Sequence, residues 1–239
     1  MIKKIFIVLF ISGMALGAYA QSHKTGQHHP NLEYFEKDRF HFGFSLGGNT
    51  TSFKINYDLT TFDSLVSIQT NGQAGFNIGL VGSMRFNRFF TLRLTPTLAF
   101  AQRNVEYVFA NEPVNIKATR IVESTYIQFP LLVKFRSQRN GNFASYIIGG
   151  ANYAYDLSSQ HGVNNDVVIS DQVLKVSRSN LFAEAGFGID LFMEYFKFSI
   201  ELKYSYGVTN IMVDDGSFWV QPISDIRPKM FTVTFHFEG

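Results

Sequence analysis

Seven charged residues carry the most specific chemistry in this chain: Arg85, Arg93, Lys134, Arg136, Asp190, Glu201 and Lys203. Each falls on the polar phase of a segment whose other phase is apolar, so a sheet would gather them on one face. Confined together in a narrow interior, they must pair and be hydrogen-bonded, because an unpaired buried ion costs several kcal/mol. Two arrangements satisfy that: an ion-paired plug, or a small selective pore lined by charge. Two other constellations are weaker. His161 lies near Ser158 and Ser159, but hydrolytic chemistry also needs an orienting acid, and none is placed by spacing. His23, His28 and His29 fit no zinc-ligand spacing and have no Cys to help them. The residues therefore imply neither an enzyme nor a cofactor or metal.

The segment that positions Glu201 and Lys203 shows what holds the charges. Phe196, Phe198, Ile200, Leu202, Tyr204, Tyr206 and Val208 alternate with Lys197, Ser199, Glu201, Lys203, Ser205, Gly207 and Thr209. A period of two sustained this long is a β-strand able to cross a bilayer at the tilt of a barrel. Its aromatic face would meet lipid and its charged face the lumen. The same pattern recurs near residues 40–46, 74–86, 90–100, 119–136, 143–157, 179–192 and 228–237. Pro96 interrupts the third of these and predicts a bulge or break there.

The connections at 87–89, 137–142 and 193–195 are short. Those at 50–73, 103–118, 158–178 and 210–227 are long and polar, the asymmetry of outer-membrane barrels. The expected fold class is all-β, an eight-stranded antiparallel transmembrane β-barrel of the outer membrane, in contact with its lipid. Eight strands enclose a space only just wide enough for side chains. Closure pairs the first and last strands, and counting from their ends sets His41 beside His236.

Phe53, Tyr57, Phe62 and Leu65 in the first long connection, Tyr107 and Phe109 in the second, and Phe218 and Trp219 in the fourth suit a protein-contact surface. The alternative is that they cover the barrel mouth or extend the strands.

Residues 1–20 combine Lys3 and Lys4, an apolar run and Ala18-Tyr19-Ala20, and read as a cleaved signal peptide. Residues 21–39 read as a flexible periplasmic segment and residues 40–239 as the barrel. Without Lys3 and Lys4 the 21 Lys and Arg fall to 19, equal to the 19 Asp and Glu. A neutral mature chain gives no reason to expect nucleic-acid binding. The 26 Phe and 11 Tyr are those of a chain with much apolar surface, yet no internal apolar run is long enough for a transmembrane helix.

The stretch Asn31-Leu32-Glu33-Tyr34-Phe35-Glu36-Lys37-Asp38-Arg39-Phe40-His41-Phe42-Gly43-Phe44 resembles the start of the PorT/SprT family of outer-membrane barrels. Tyr126 to Leu132, Tyr146 to Gly150 and Ser199 to Asn210 add to the likeness, which spans most of residues 31–239. The resemblance implies a part in type IX protein secretion and gliding motility in Bacteroidetes, with protein partners in a secretion machine. It brings no catalytic residues.

Overall fold

The computed structural model describes residues 31–58, 64–110, 116–159 and 174–239. Among them are nine strands: β1 Phe40–Tyr57, β2 Leu65–Arg85, β3 Phe90–Leu94, β4 Thr97–Phe109, β5 Ile116–Arg136, β6 Phe143–Asp156, β7 Ser179–Phe192, β8 Lys197–Gly207 and β9 Ile223–Glu238. Each pairs antiparallel with its neighbours, and β1 pairs with both β2 and β9, so the sheet closes on itself. Closure leaves no strand edge within the bilayer, where an unpaired backbone group has no water to bond.

Strands β3 and β4 are two halves of one wall position, so the ring has eight. Gly82 opposes Leu94 and Gly79 opposes Thr97, which is one register carried across the gap. The same holds on the other side, where Leu131 opposes Leu94 and Gln128 opposes Thr97. Only Thr95 and Pro96 drop out of the ladder. Pro96 has no N–H to offer. Pro130 faces Thr95 and also lacks one, so the Thr95 carbonyl instead accepts the Thr97 hydroxyl at 2.7 Å, while Thr95 N–H donates to the Pro130 carbonyl at 3.2 Å.

Two of the long connections turn out to be mostly strand. β1 and β2 run to Tyr57 and from Leu65, and β4 and β5 run to Phe109 and from Ile116. With β9 they raise a tall wall on one side of the ring, while β6, β7 and β8 stop lower, at Asp156, Ser179 and Gly207. In the lower wall apolar residues point out: Phe44, Ile78, Leu80, Phe129, Leu131, Phe187 and Phe231 are all exposed. In the upper wall the phase inverts. Phe53, Ile68, Val105, Tyr107, Val122 and Ile226 point inward and are buried, while Lys54, Gln69 and Glu123 point out. In β2 the change comes with a register shift between Gly72 and Phe76. Such a bulge resets the two-residue alternation, and a strict period of two therefore ends where the strand does not.

The first and last strands are staggered rather than flush. Ser45 opposes His236 and Gly43 opposes Glu238, so His41 lies four residues below His236, about 13 Å along the strand. The expected His41–His236 neighbours are thus apart. A closed barrel requires such a shear, and counting from strand ends ignores it.

Residues 31–39 belong to the segment expected to be flexible. They form turns folded onto the short-turn mouth, with Phe35 N–H bonded to the Leu32 carbonyl at 3.1 Å and Lys37 N–H to the Tyr34 carbonyl at 2.8 Å.

Candidate functional site

The lower lumen is organised around Arg93, which is fully buried on β3. Its two terminal nitrogens donate to different carboxylates, Glu201 at 2.8 Å and Glu238 at 2.9 Å. Each acid is held again by others. Glu201 accepts the Tyr146 hydroxyl at 3.0 Å and has His236 Nε2 at 3.5 Å. Glu238 meets Lys197 at 2.9 Å and accepts the Ser83 hydroxyl at 3.1 Å. Tyr146 reaches inward because Gly188 faces it, where an added Cβ would come within 2.5 Å of the phenol ring.

Beside this cluster, Lys134 donates to both oxygens of Asp190 at 2.8 Å and sits 3.6 Å from the Tyr146 ring centroid. Ser199 adds a third hydrogen bond to Asp190 at 2.7 Å. On the inner wall between β7 and β8, Lys203 pairs with Glu184 at 2.9 Å, and Glu184 also accepts from Asn152 and Ser205. Charges so buried are tolerated because each of the four acids meets a cation and at least one further hydrogen-bond donor. Among the described residues lie two small cavities of about 20 Å³, one lined by residues including Phe35, His41, Lys134 and Lys197, the other by Gln128, Lys203 and His236 among others. Each has room for about one water molecule.

Five of the seven charges singled out in the sequence lie in these contacts: Arg93, Lys134, Asp190, Glu201 and Lys203. Arg85 and Arg136 do not. They sit at the short-turn mouth and share the Glu36 carboxylate, Arg136 at 2.5 Å and Arg85 at 3.8 Å. Sequence reasoning left out Lys197 and Glu238, both on the inward phase of their strands. Glu36 precedes the barrel and carries no periodic signal.

The upper mouth is closed by a different chemistry. Phe53, Leu65, Ile68, Val105 and Tyr107 of the wall meet Leu174, Val176, Ile211, Trp219 and Val220 from the connections in one hydrophobic core. The Tyr107 hydroxyl donates to the Trp219 carbonyl at 2.7 Å, and the Arg120 guanidinium lies 4.1 Å from the Trp219 ring centroid. Arg103 stacks on Phe53 and donates to Ser124 and Tyr126.

The expectation of an aromatic contact surface is therefore corrected. Phe53, Tyr107 and Trp219 are buried, and Tyr57, Phe109 and Phe218 are half-buried against the same core. Burying large rings in the mouth of the barrel gains more than exposing them to water. Phe62 lies outside the described residues. So do His161, His23, His28 and His29. Ser158 bonds the Thr125 hydroxyl of the wall at 2.9 Å, and Ser159 bonds the Val176 carbonyl at the other end of the same connection at 2.7 Å.

The sequence from residue 19 to residue 213 matches the family model described as outer membrane protein beta-barrel domain. No curated protein matches the chain. Among solved structures, it is similar to the outer membrane protein OprG from Pseudomonas aeruginosa, at 12% identity and a TM-score of 0.47, over 84% of this chain and 95% of that one. It is similar to Ail, the attachment invasion locus protein of Yersinia pestis, solved with the heparin analogue sucrose octasulfate, at 14% identity and a TM-score of 0.40, over 84% and 100% of the two chains. A third likeness is to Neisserial surface protein A, at 10% identity and a TM-score of 0.40, over 82% and 96%. The family match spans most of the sequence, and the chain belongs to the outer membrane protein β-barrel domain family, a barrel of the outer membrane.

Proposed function

We propose that this barrel is a non-enzymatic component of a type IX protein secretion and gliding-motility machine, and that it works through protein contacts at its ends rather than by passing cargo. One observation carries the second half of that reading: the lumen is filled. Arg93 bridges Glu201 and Glu238 across the lower interior, and the Trp219 core fills the upper mouth. No extended chain could share that space. The secretion role is supported by the PorT/SprT resemblance, whose most distinctive stretch begins at Asn31. We propose further that residues 1–20 are a cleaved leader and that the barrel unit begins at about residue 31, earlier than its first strand.

Export of a reporter cargo in a deletion strain, with and without the restored gene, tests the reading. Lost export that the gene restores supports it. Unchanged export rejects it and favours a stand-alone structural or adhesion barrel, a reading to which the tall upper wall also lends itself. In a planar bilayer the purified protein is expected to show no large, stable conductance steps; such steps would instead favour a small channel.

A further inference from the structure

We propose that the recess at the short-turn, periplasmic mouth is a binding site for a peptide presenting an aromatic residue followed by a carboxylate, and that residues 31–38 occupy it as an intramolecular ligand. The recess has two parts. One is an aromatic slot: Phe35 is buried in it, stacked on His41 at 3.8 Å between ring centroids and edge-on to Phe192 at 6.0 Å, with Lys197 4.8 Å from its ring centroid. The other is a pair of guanidiniums, Arg85 and Arg136, whose ion pairs are both made to Glu36. Otherwise Arg85 donates to the carbonyls of Glu36 and Asn87, and Arg136 lies over the Phe192 ring. If the segment leaves, two partly buried cations beside an apolar slot lose their only carboxylate among the described residues. The vacated guanidiniums then offer a site for another anion, and the adjacent slot selects one attached to an aromatic side chain.

The way the segment is held favours exchange. Residues 31–38 pair with no strand, so they can detach without opening a ladder. Their outer end is tied by side-chain contacts: Asn31 bonds Asn142 and the Phe192 carbonyl, and Arg139 bonds the Asn31 carbonyl. The inner end is anchored where Arg85 N–H donates to the Arg39 carbonyl at 2.7 Å, which leaves a hinge beside β1. Leu32 has φ of +52°, a left-handed conformation that a non-glycine residue rarely holds unless surrounding contacts impose it. Detachment relieves that strain. The site extends the protein-contact reading by naming the chemistry of a periplasmic partner, and it does not depend on the secretion role.

The test uses a fluorescent synthetic peptide of residues 31–39 and the full-length barrel in micelles, with folding checked by heat-dependent gel migration. Tethering gives the native segment an effective concentration in the millimolar range, so the free peptide should bind wild type at least about tenfold more weakly than Phe35→Ala/Glu36→Gln. Adding Arg85→Gln and Arg136→Gln to that receptor, or replacing the peptide's own carboxylate at position 36 by an amide, should weaken binding by on the order of tenfold or more, the worth of a charged hydrogen bond. If the double variant does not fold, Glu36→Gln alone serves as receptor. Absence of binding to a folded receptor overturns the proposal. Binding that ignores both the arginines and the peptide carboxylate also overturns it. A reporter strain with normal export would leave this result untouched, so failure of the secretion role and failure of the site are distinguishable.

Discussion

The lower and upper halves of this lumen are filled by opposite chemistries. Around Arg93 the interior is ionic, with Lys134, Asp190, Lys197, Glu201 and Glu238 all buried. Around Trp219 it is a hydrophobic core like that of a soluble protein. The difference follows from what lies outside the wall. Where lipid takes the apolar phase of each strand, the lumen receives the polar phase and must neutralise it. Where the tall wall carries polar residues outward, its inward phase is apolar and packs. Strand β4 shows both regimes in one element, from Leu98 facing out beside buried Ala99 to Glu106 facing out beside buried Tyr107.

The sharpest way to break this comparison is to remove one ion from the lower half. Arg93→Leu strands Glu201 and Glu238 without their shared partner and is expected to destabilise the barrel by about 3–5 kcal/mol. Urea unfolding in lipid vesicles measures it. A cost below about 1 kcal/mol would make the network a chain of independently satisfied pairs.

In the upper half the corresponding loss is of volume. Trp219→Ala is expected to cost about 3 kcal/mol or more through the cavity it leaves. The damage should be local, seen as faster proteolysis of the 208–222 connection while the membrane-embedded strands stay protected. Global unfolding at the same denaturant concentration would mean that the two halves fold as one unit.

A charge on the outside distinguishes the halves by their solvent. Leu202→Arg, on the lipid face near the middle of β8, is expected to cost about 2–4 kcal/mol, and its neighbour Lys203→Gln less. Equal losses for the two would reverse the assignment of faces. Ile121 also points outward and is exposed, but it stands between Thr119 and Glu123 on the tall wall. Ile121→Arg should change stability by no more than about 0.5 kcal/mol in the same unfolding assay. A penalty matching that of Leu202→Arg would place the upper wall in the bilayer.

Much of the wall could be read from the chain because β-alternation is local. The outward row from Phe196 to Tyr204, the inward Glu184 and Asp190, and the interruption at Pro96 each follow from residue type and a period of two. Between Thr50 and Ala74 the polar–apolar pattern is lost, because the bulge above Phe76 and the inversion of chemistry both break it. What spacing could not settle is who meets whom across the ring. The partner of Arg93 depends on the stagger between strands far apart in sequence, which sets Glu201 and Glu238 at its height and lifts His236 away from His41. The same holds for Glu36 and Trp219, which lie outside any periodic segment and find their places only when the closed barrel offers a cationic rim at one end and an apolar mouth at the other. The sequence by itself determined the faces of the strands, since each is a property of a few neighbouring residues; the ion pairs, the upper core and the segment seated at the lower mouth were decided by closure and shear, which exist only in the folded ring.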